Sequence, residues 1–222
     1  MCGNLPQSAS AVVSVNVGRA RTVEWQGRSV RTSIYKSPVD GAVRVERSNL
    51  AGDEQADPSV HGGVNKAVYL YPAEHYAFWR AELGELPWGA FGENLTATGL
   101  LEDAVYVGDR LSVGTAELTV TQPRLPCFKL GIRLGRTDIE RLFLQSGRTG
   151  FYLAVTREGE VKAGDAVGVV QRAAESVSIA ELVELQRTDR PDPERLRRLA
   201  CLGALPEGLK RRFQRQLAEL GG

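Results

Sequence analysis

Cys127 follows Pro126 in the stretch QPRLPCFKLG and is bracketed by Arg124 and Lys129. In an extended segment side chains two positions apart share a face, so Lys129 is expected beside the sulfur, where its charge favours thiolate over thiol. Pro126 withholds a backbone donor and stiffens the approach. Cysteine is also a common small apolar filler, and the local sequence leaves both readings open. Three further clusters combine glycines with side chains able to grip a ligand: His61-Gly62-Gly63-Val64-Asn65-Lys66, Gly89-Ala90-Phe91-Gly92-Glu93-Asn94-Leu95 and Gly147-Arg148-Thr149-Gly150. Glycine lets backbone approach a ligand closely, and the neighbouring polar groups can hold it. Together the four clusters read as walls of one anion-tolerant pocket.

Other chemistries have less support. A His61/Cys127 pair would suit a cysteine hydrolase with His61 as general base, but no local signature of that chemistry surrounds either residue. A zinc site of His61, His75 and Cys127 lacks paired-ligand spacing. His61 sits in a Gly-flanked loop, where a packed role is unnatural, whereas His75 falls beside Tyr76 on a predicted helix and reads as structural. Cys201, inside LACLGAL, reads as an apolar core residue, and Cys2 lies in a predicted frayed terminus.

The elements that must position these residues are mostly strands. From Ala11 to Asn49, β-branched residues alternate with polar ones in AVVSVNVG, RTVEW, RSVRTSIYK and AVRVERSNL, and Asp40-Gly41 is a hairpin signal. Asn49 to Gly63 turns polar and Gly-rich, as expected of a loop leading to a site. After AVYLY, Pro72 suits the first turn of a helix through AEHYAFWRAEL, with Phe78 and Trp79 near a face shared with Leu83 and stops at Gly84 and Pro87. A second strand block runs from Val105 to Gln122. VYVGDRLSV (105–113) and VKAGDAVGV (161–169) share V-x-x-G-D-x-x-x-V, which predicts a Gly-Asp turn feeding a strand twice and a closed or nearly closed β-barrel. Thr137 to Glu140 forms a capping-box pattern that predicts a short helix ending at Ser146-Gly147.

Near Glu175 the composition changes. Ser178-Ile-Ala-Glu181 is another capping box, Pro191-Asp192-Pro193 separates a second helical run ending at Gly203, and Pro206 opens a third. The expected organisation is a β-barrel domain over 1–174 and a small three-helix domain over 175–222, the latter too small for much independence and packed on the barrel. Arg197, Arg198, Lys210, Arg211, Arg212 and Arg215 invite a helix-turn-helix reading. The acids Glu181, Glu184, Asp189, Asp192, Glu194, Glu207 and Glu219 nearly balance them, so a solvated charged face is preferred to stable nucleic-acid binding.

Composition sets outer limits. The 222 residues are 42% hydrophobic and 25% charged, with 28 Lys and Arg against 27 Asp and Glu, so no overall field draws the chain to nucleic acid or membrane. Three scattered cysteines cannot supply the four thiolates of an iron–sulfur cluster and suggest a reduced, cytoplasmic setting. MCGNLPQSAS has no basic start followed by an apolar run, and no long apolar stretch occurs, so neither export nor membrane insertion is expected.

Taken in order, HGGVNKAVYLYPAEHY, FGENLT, VGDRLSVG, QPRLPCFKLG and GRTGFY, followed by the helical tail, resemble the MOSC domain, named after the C-terminal part of molybdenum cofactor sulfurases. Within that family the chain is most similar to the bacterial YiiM-type branch, associated with resistance to 6-hydroxylaminopurine. The resemblance spans nearly the whole chain and implies a mostly β fold of the α+β class: a β-barrel core with flanking helices and the three-helix tail. It also implies a pterin-bound molybdenum cofactor with Cys127 as the thiolate ligand on the metal, which agrees with the preference of soft thiolates for such metals. Gly62, Gly63, Lys66, Asn94, Arg124, Lys129 and Arg148 become the cofactor-binding residues, and Glu93 and His61 candidate proton donors beside Cys127. Relatives often carry aspartate where Asn65 stands and a basic residue where Ala154 stands, departures that bear on substrate more than on the cofactor.

The activity implied is reduction of small N-hydroxylated compounds such as 6-hydroxylaminopurine, a detoxification. Because the chain has no recognisable flavin, haem or iron–sulfur motif, electrons are expected from a separate reductase. Two alternatives stay open: a sulfur carrier with a persulfide on Cys127, and a non-catalytic carrier of the molybdenum cofactor. Apolar residues on the tail also leave homodimer formation open.

Overall fold

The computed structural model describes residues 10–56, 63–188 and 190–220. Its main sheet has eight strands in the order β13 (Val167–Gln171), β9 (Arg110–Val113), β10 (Ala116–Pro123), β11 (Phe151–Arg157), β7 (Val68–Pro72), β8 (Leu95–Ala97), β1 (Val12–Val17) and β4 (Ser37–Pro38). All neighbours are antiparallel except β7 and β8. The alternation read in the sequence is what the strands bury: in β9 Leu111 and Val113 point into the core while Arg110 and Ser112 do not. The two Gly-Asp turns are built alike. Asp109 accepts from the Tyr106 amide at 3.0 Å and Asp165 from the Lys162 amide at 2.9 Å, and the strands that follow them, β9 and β13, pair with each other.

The class is α+β as expected, but the described ladders stop short of a closed barrel. An isolated Ala11–Ala166 bridge, with the Val12 amide on the Asp165 carbonyl at 2.9 Å, the Val167 amide on the Ser10 carbonyl at 2.8 Å and the Gly164 amide on the Val12 carbonyl at 2.8 Å, links the start of β1 to the approach to β13, so the sheet is nearly closed. Three local expectations also change. Asp40-Gly41 is a turn, with Gly41 at φ +80°, yet no hairpin: β4 pairs with β1, whereas β5 (Val43–Glu46) pairs with β6 (Asn49–Leu50) and β12 (Gly159–Val161). Burial of Val43 and Val45 in the main core draws β5 away from its predecessor. A tight hairpin is found instead at Gln26-Gly27, both at positive φ, between β2 (Arg21–Trp25) and β3 (Arg28–Thr32). Pro72 ends β7 rather than opening a helix. Helix α1 runs His75–Leu83, burying Trp79 and leaving Phe78 exposed.

Two further helices flank the site, α2 (Phe128–Leu134) and α3 (Ile139–Ser146). The N-cap of α3 is Asp138, not Thr137, and it makes no side-chain cap because its carboxylate is engaged by Arg136, at 2.6 and 2.9 Å. With α1 they enclose an aromatic core in which Tyr71 lies 4.6 Å from Phe91 between ring centroids and accepts the Trp79 indole N–H at 2.7 Å.

The tail is α4 (Ile179–Arg187), α5 (Pro193–Cys201) and α6 (Glu207–Leu220). Ser178 caps α4 as expected, accepting the Glu181 amide at 3.0 Å. Leu182, Val183, Leu185, Leu196, Leu199 and Phe213 join one core with the sheet, so the tail packs against it. Cys201 is exposed rather than buried, because Leu199 and Leu202 take the inward positions around it. The described residues include no helix long and apolar enough to cross a membrane.

Candidate functional site

Cys127 stands on a wall shared by two cavities. The smaller, of about 90 Å³, is lined on one side by Lys66, Tyr69, Asn94, Arg124, Lys129 and Tyr152. Its other side is Thr32 to Ile34, Lys36 and the loop Asp53 to Ala56, together with Phe91 and Gly92. The larger, a groove of about 600 Å³, lies between the sheet and the helical tail and shares Lys66, Cys127 and Tyr152 with the first.

A bulge in β10 brings the sequence clusters together. Register shifts between Val120 and Gln122 against β11, and the Thr121 hydroxyl lies 3.0 Å from the Tyr152 carbonyl and 2.6 Å from that of Asn65. The single 3-10 turn Val64–Lys66 is thereby tied to the strand that leads into Arg124 and Cys127. Cys127 has extended backbone (φ −139°, ψ 167°) but caps α2, so Lys129 reaches the cavity from the first turn of a helix, not from the face of a strand as the spacing predicted.

Cations dominate the polar wall. Arg124 is 5% exposed, and its Nη1 has no hydrogen-bond partner among the described residues. Burial opposes its charge, but Tyr69, Tyr152 and Cys127 more than offset this and hold its pKa above the ordinary value. Burial pushes the Lys66 ammonium down, and Cys127 pulls it partly back. Lys36 is ion-paired to Asp53 within the wall, and its pKa too is lowered by burial, against the pull of Asp53. Asp53 also accepts the Gly18 amide at 2.8 Å and the Asn94 side chain at 2.9 Å, while Asn94 accepts the Tyr69 amide at 3.1 Å. Glu54 receives the Ala20 amide at 2.9 Å.

The structure divides the sequence-predicted site residues. Cys127, Lys66, Asn94, Arg124 and Lys129 meet at the smaller cavity, and Gly63 lines the groove. His61 and Gly62 lie outside the described residues. Glu93 lines neither cavity: fully buried, it accepts the Gly89 amide at 2.9 Å, the Phe91 amide at 3.1 Å, the Thr96 hydroxyl at 2.9 Å and the Tyr76 hydroxyl. Its carboxylate organises the Gly89 to Gly92 loop whose end forms part of the wall. Arg148 also stands elsewhere, with its guanidinium 4.1 Å over the Phe78 ring. The cluster around it acts from behind, since the Thr149 carbonyl accepts the Tyr69 hydroxyl at 2.8 Å and the Gly150 carbonyl accepts the Arg124 amide at 3.2 Å. Lys36 and Asp53 were not singled out by sequence; the polar, Gly-rich run around Gly52 was the available signal for Asp53.

A half-buried cysteine among lysines and an arginine, one of whose buried nitrogens has no partner among the described residues, suits a ligand that presents a soft metal and anionic oxygens. These residues fit a pterin-bound molybdenum group. A family model of the MOSC domain matches residues 57–168. The chain belongs to the MOSC family. It is 37% identical over 213 residues to "Uncharacterized protein YflK" of Bacillus subtilis, covering 96% of each chain. It is 34% identical over 200 residues to a protein of Gibberella moniliformis named "Reductase", covering 88% of this chain and 35% of that one. The crystal structure of YiiM from Geobacillus stearothermophilus superposes with a TM-score of 0.79 at 34% identity, covering 94% of this chain and 99% of that one. The MOSC match covers the central half of the chain and the YiiM likeness extends over nearly all of it, and membership associates the chain with the molybdenum cofactor.

Proposed function

We propose that this protein binds a pterin-based molybdenum cofactor through Cys127 and reduces small N-hydroxylated compounds, 6-hydroxylaminopurine among them, with electrons from a separate reductase. The observation that carries this reading is the position of Cys127 on the wall between the two cavities, the smaller of which it lines together with Arg124, whose buried Nη1 has no hydrogen-bond partner among the described residues. When bound, the cofactor would supply the two-electron removal of the hydroxyl oxygen, so that R–NHOH, two electrons and two protons give R–NH2 and water. Cys127 Sγ would hold the metal; Arg124, Lys129 and the wall around Asn94 would hold the anionic and polar parts of the pterin. Lys66 lines both cavities, and burial loosens the proton on its Nζ, so it is placed to supply one of the two protons. Burial raises the pKa of both Tyr69 and Tyr152, against the pull of Arg124, and the two rings form part of the smaller cavity's wall. The relative named as a reductase supports redox chemistry, and the YiiM likeness supports the choice of substrate.

The test is protein made in a host that assembles the cofactor. Wild type should carry stoichiometric molybdenum and pterin, Cys127→Ala should lose the molybdenum without losing its fold, and wild type should convert 6-hydroxylaminopurine to adenine with an artificial electron donor. Absence of pterin from the wild type would defeat the reading, and a persulfide on Cys127 in pterin-free protein would point to sulfur transfer instead.

A further inference from the structure

The groove on the far side of Cys127 has a one-sided charge. Among the described residues its charged lining is Lys66 and Arg212, with no carboxylate. Arg212, on α6, is half-buried, and among the described residues it has neither a hydrogen bond nor an ion pair. Burial disfavours its charge, and Arg215 beside it adds repulsion instead of relief. A guanidinium held this way is complementary to an anion, and its planar fork matches phosphate oxygens in particular. The remaining surface is largely apolar, with Leu125 and Leu209, and Gln122 and Gln186 offer hydrogen bonds. At about 600 Å³ the groove is within the range of small-molecule sites and larger than a lone purine needs.

We infer that this groove, built jointly by the sheet and the helical tail, is the substrate subsite, and that its substrate is an N-hydroxylated base carrying a phosphate, a nucleoside monophosphate, with Arg212 binding the phosphate. The inference rests on the reductase reading for the reacting group and adds the form in which the substrate arrives. The three-helix tail then acquires a role, since it supplies one whole wall and the specificity-determining cation.

The test is calorimetric titration of cofactor-loaded protein with the 5′-monophosphate of 6-hydroxylaminopurine riboside and, separately, with the free base, alongside molybdenum and pterin analysis. The wild type should prefer the monophosphate, and Arg212→Gln should weaken it by about tenfold or more while changing free-base binding by less than about twofold. Arg212→Lys, which keeps the charge but not the fork, should fall between. All three proteins should carry equal pterin. Equal affinity of wild type for base and monophosphate would overturn the inference, as would loss of pterin from Arg212→Gln, which would give the groove to the cofactor. Should the wild type carry no pterin yet bind the monophosphate through Arg212, the reductase reading would fail and the subsite would stand.

Discussion

Asn94 Nδ2 donates to Asp53 Oδ2 at 2.9 Å, and through this bond the residue just before β8 fixes the carboxylate that neutralises the buried Lys36 ammonium. The side chains of Lys36 and Asp53 are 8% and 3% exposed, so neither charge has water to fall back on. Breaking such a pair from one side leaves an uncompensated charge in the interior. Asp53→Asn should therefore cost about 3–5 kcal/mol of stability, read as a lowered urea midpoint at unchanged slope. A loss within error would mean that Lys36 simply sheds its proton.

Glu93 gives the protein a pH dependence with a defined sign. Burial raises its pKa above the ordinary 4.5 of a glutamate, against the hydrogen bonds that favour the ionised form. Between 4.5 and its folded pKa the native state binds the extra proton, so its contribution to stability is complete below 4.5 and is lost as pH rises through the folded value. Glu93→Gln should flatten that slope in denaturant titrations run across the acid range. It should also lower stability at neutral pH by roughly 1–3 kcal/mol, since an amide group cannot accept from every donor aimed at the carboxylate.

These two carboxylates mark the boundary of what local sequence could convey. Gly89 to Leu95 reads in the sequence as glycines and polar groups on one pocket wall, but adjacent residues do different work: Asn94 lines the cavity and Glu93 is consumed by four donors from its own neighbourhood. Which of two neighbours faces the ligand depends on how the loop packs, and no spacing rule carries that. Cys127, Arg124 and Lys129 were legible because they are close in sequence and chemically unusual together. Lys36 and Asp53 were not, because their pairing is tertiary and each alone resembles an ordinary surface charge. The Gly-Asp echo identified two strands correctly, yet it could not say that β9 and β13 would pair with each other.

Gly150 joins the backing loop to the site. At φ +62° it holds a left-handed conformation, and a Cβ there would lie 2.4 Å from the Leu70 carbonyl oxygen, which the sheet does not let move. Gly150→Ala should cost roughly 2–5 kcal/mol, combining the backbone preference with overpacking. Gly135 is the control, at φ +68° with nothing within 4 Å of such a Cβ. Its alanine variant should cost only about 1 kcal/mol. Because the Gly150 carbonyl receives the Arg124 amide, the first variant should also lower pterin content and the second should not.

Lys66 is the residue on which proton supply can be separated from cofactor retention, since it lines both cavities and its ammonium is loosened by burial. Lys66→Arg keeps a cation for the cofactor but replaces a group that releases its proton by one that does not. It should retain molybdenum and pterin and lower kcat for the N-hydroxylated substrate by about tenfold to a hundredfold, with KM changed little. Lys66→Met removes the charge as well and should lower both pterin content and kcat. The wild-type rate should fall as pH rises through the depressed Lys66 pKa, because the protonated form is the one consumed, and this limb should be absent in Lys66→Arg. A Lys66→Arg enzyme with unchanged kcat and the same alkaline limb would move the proton donor elsewhere, leaving Lys66 as a contact for the cofactor alone.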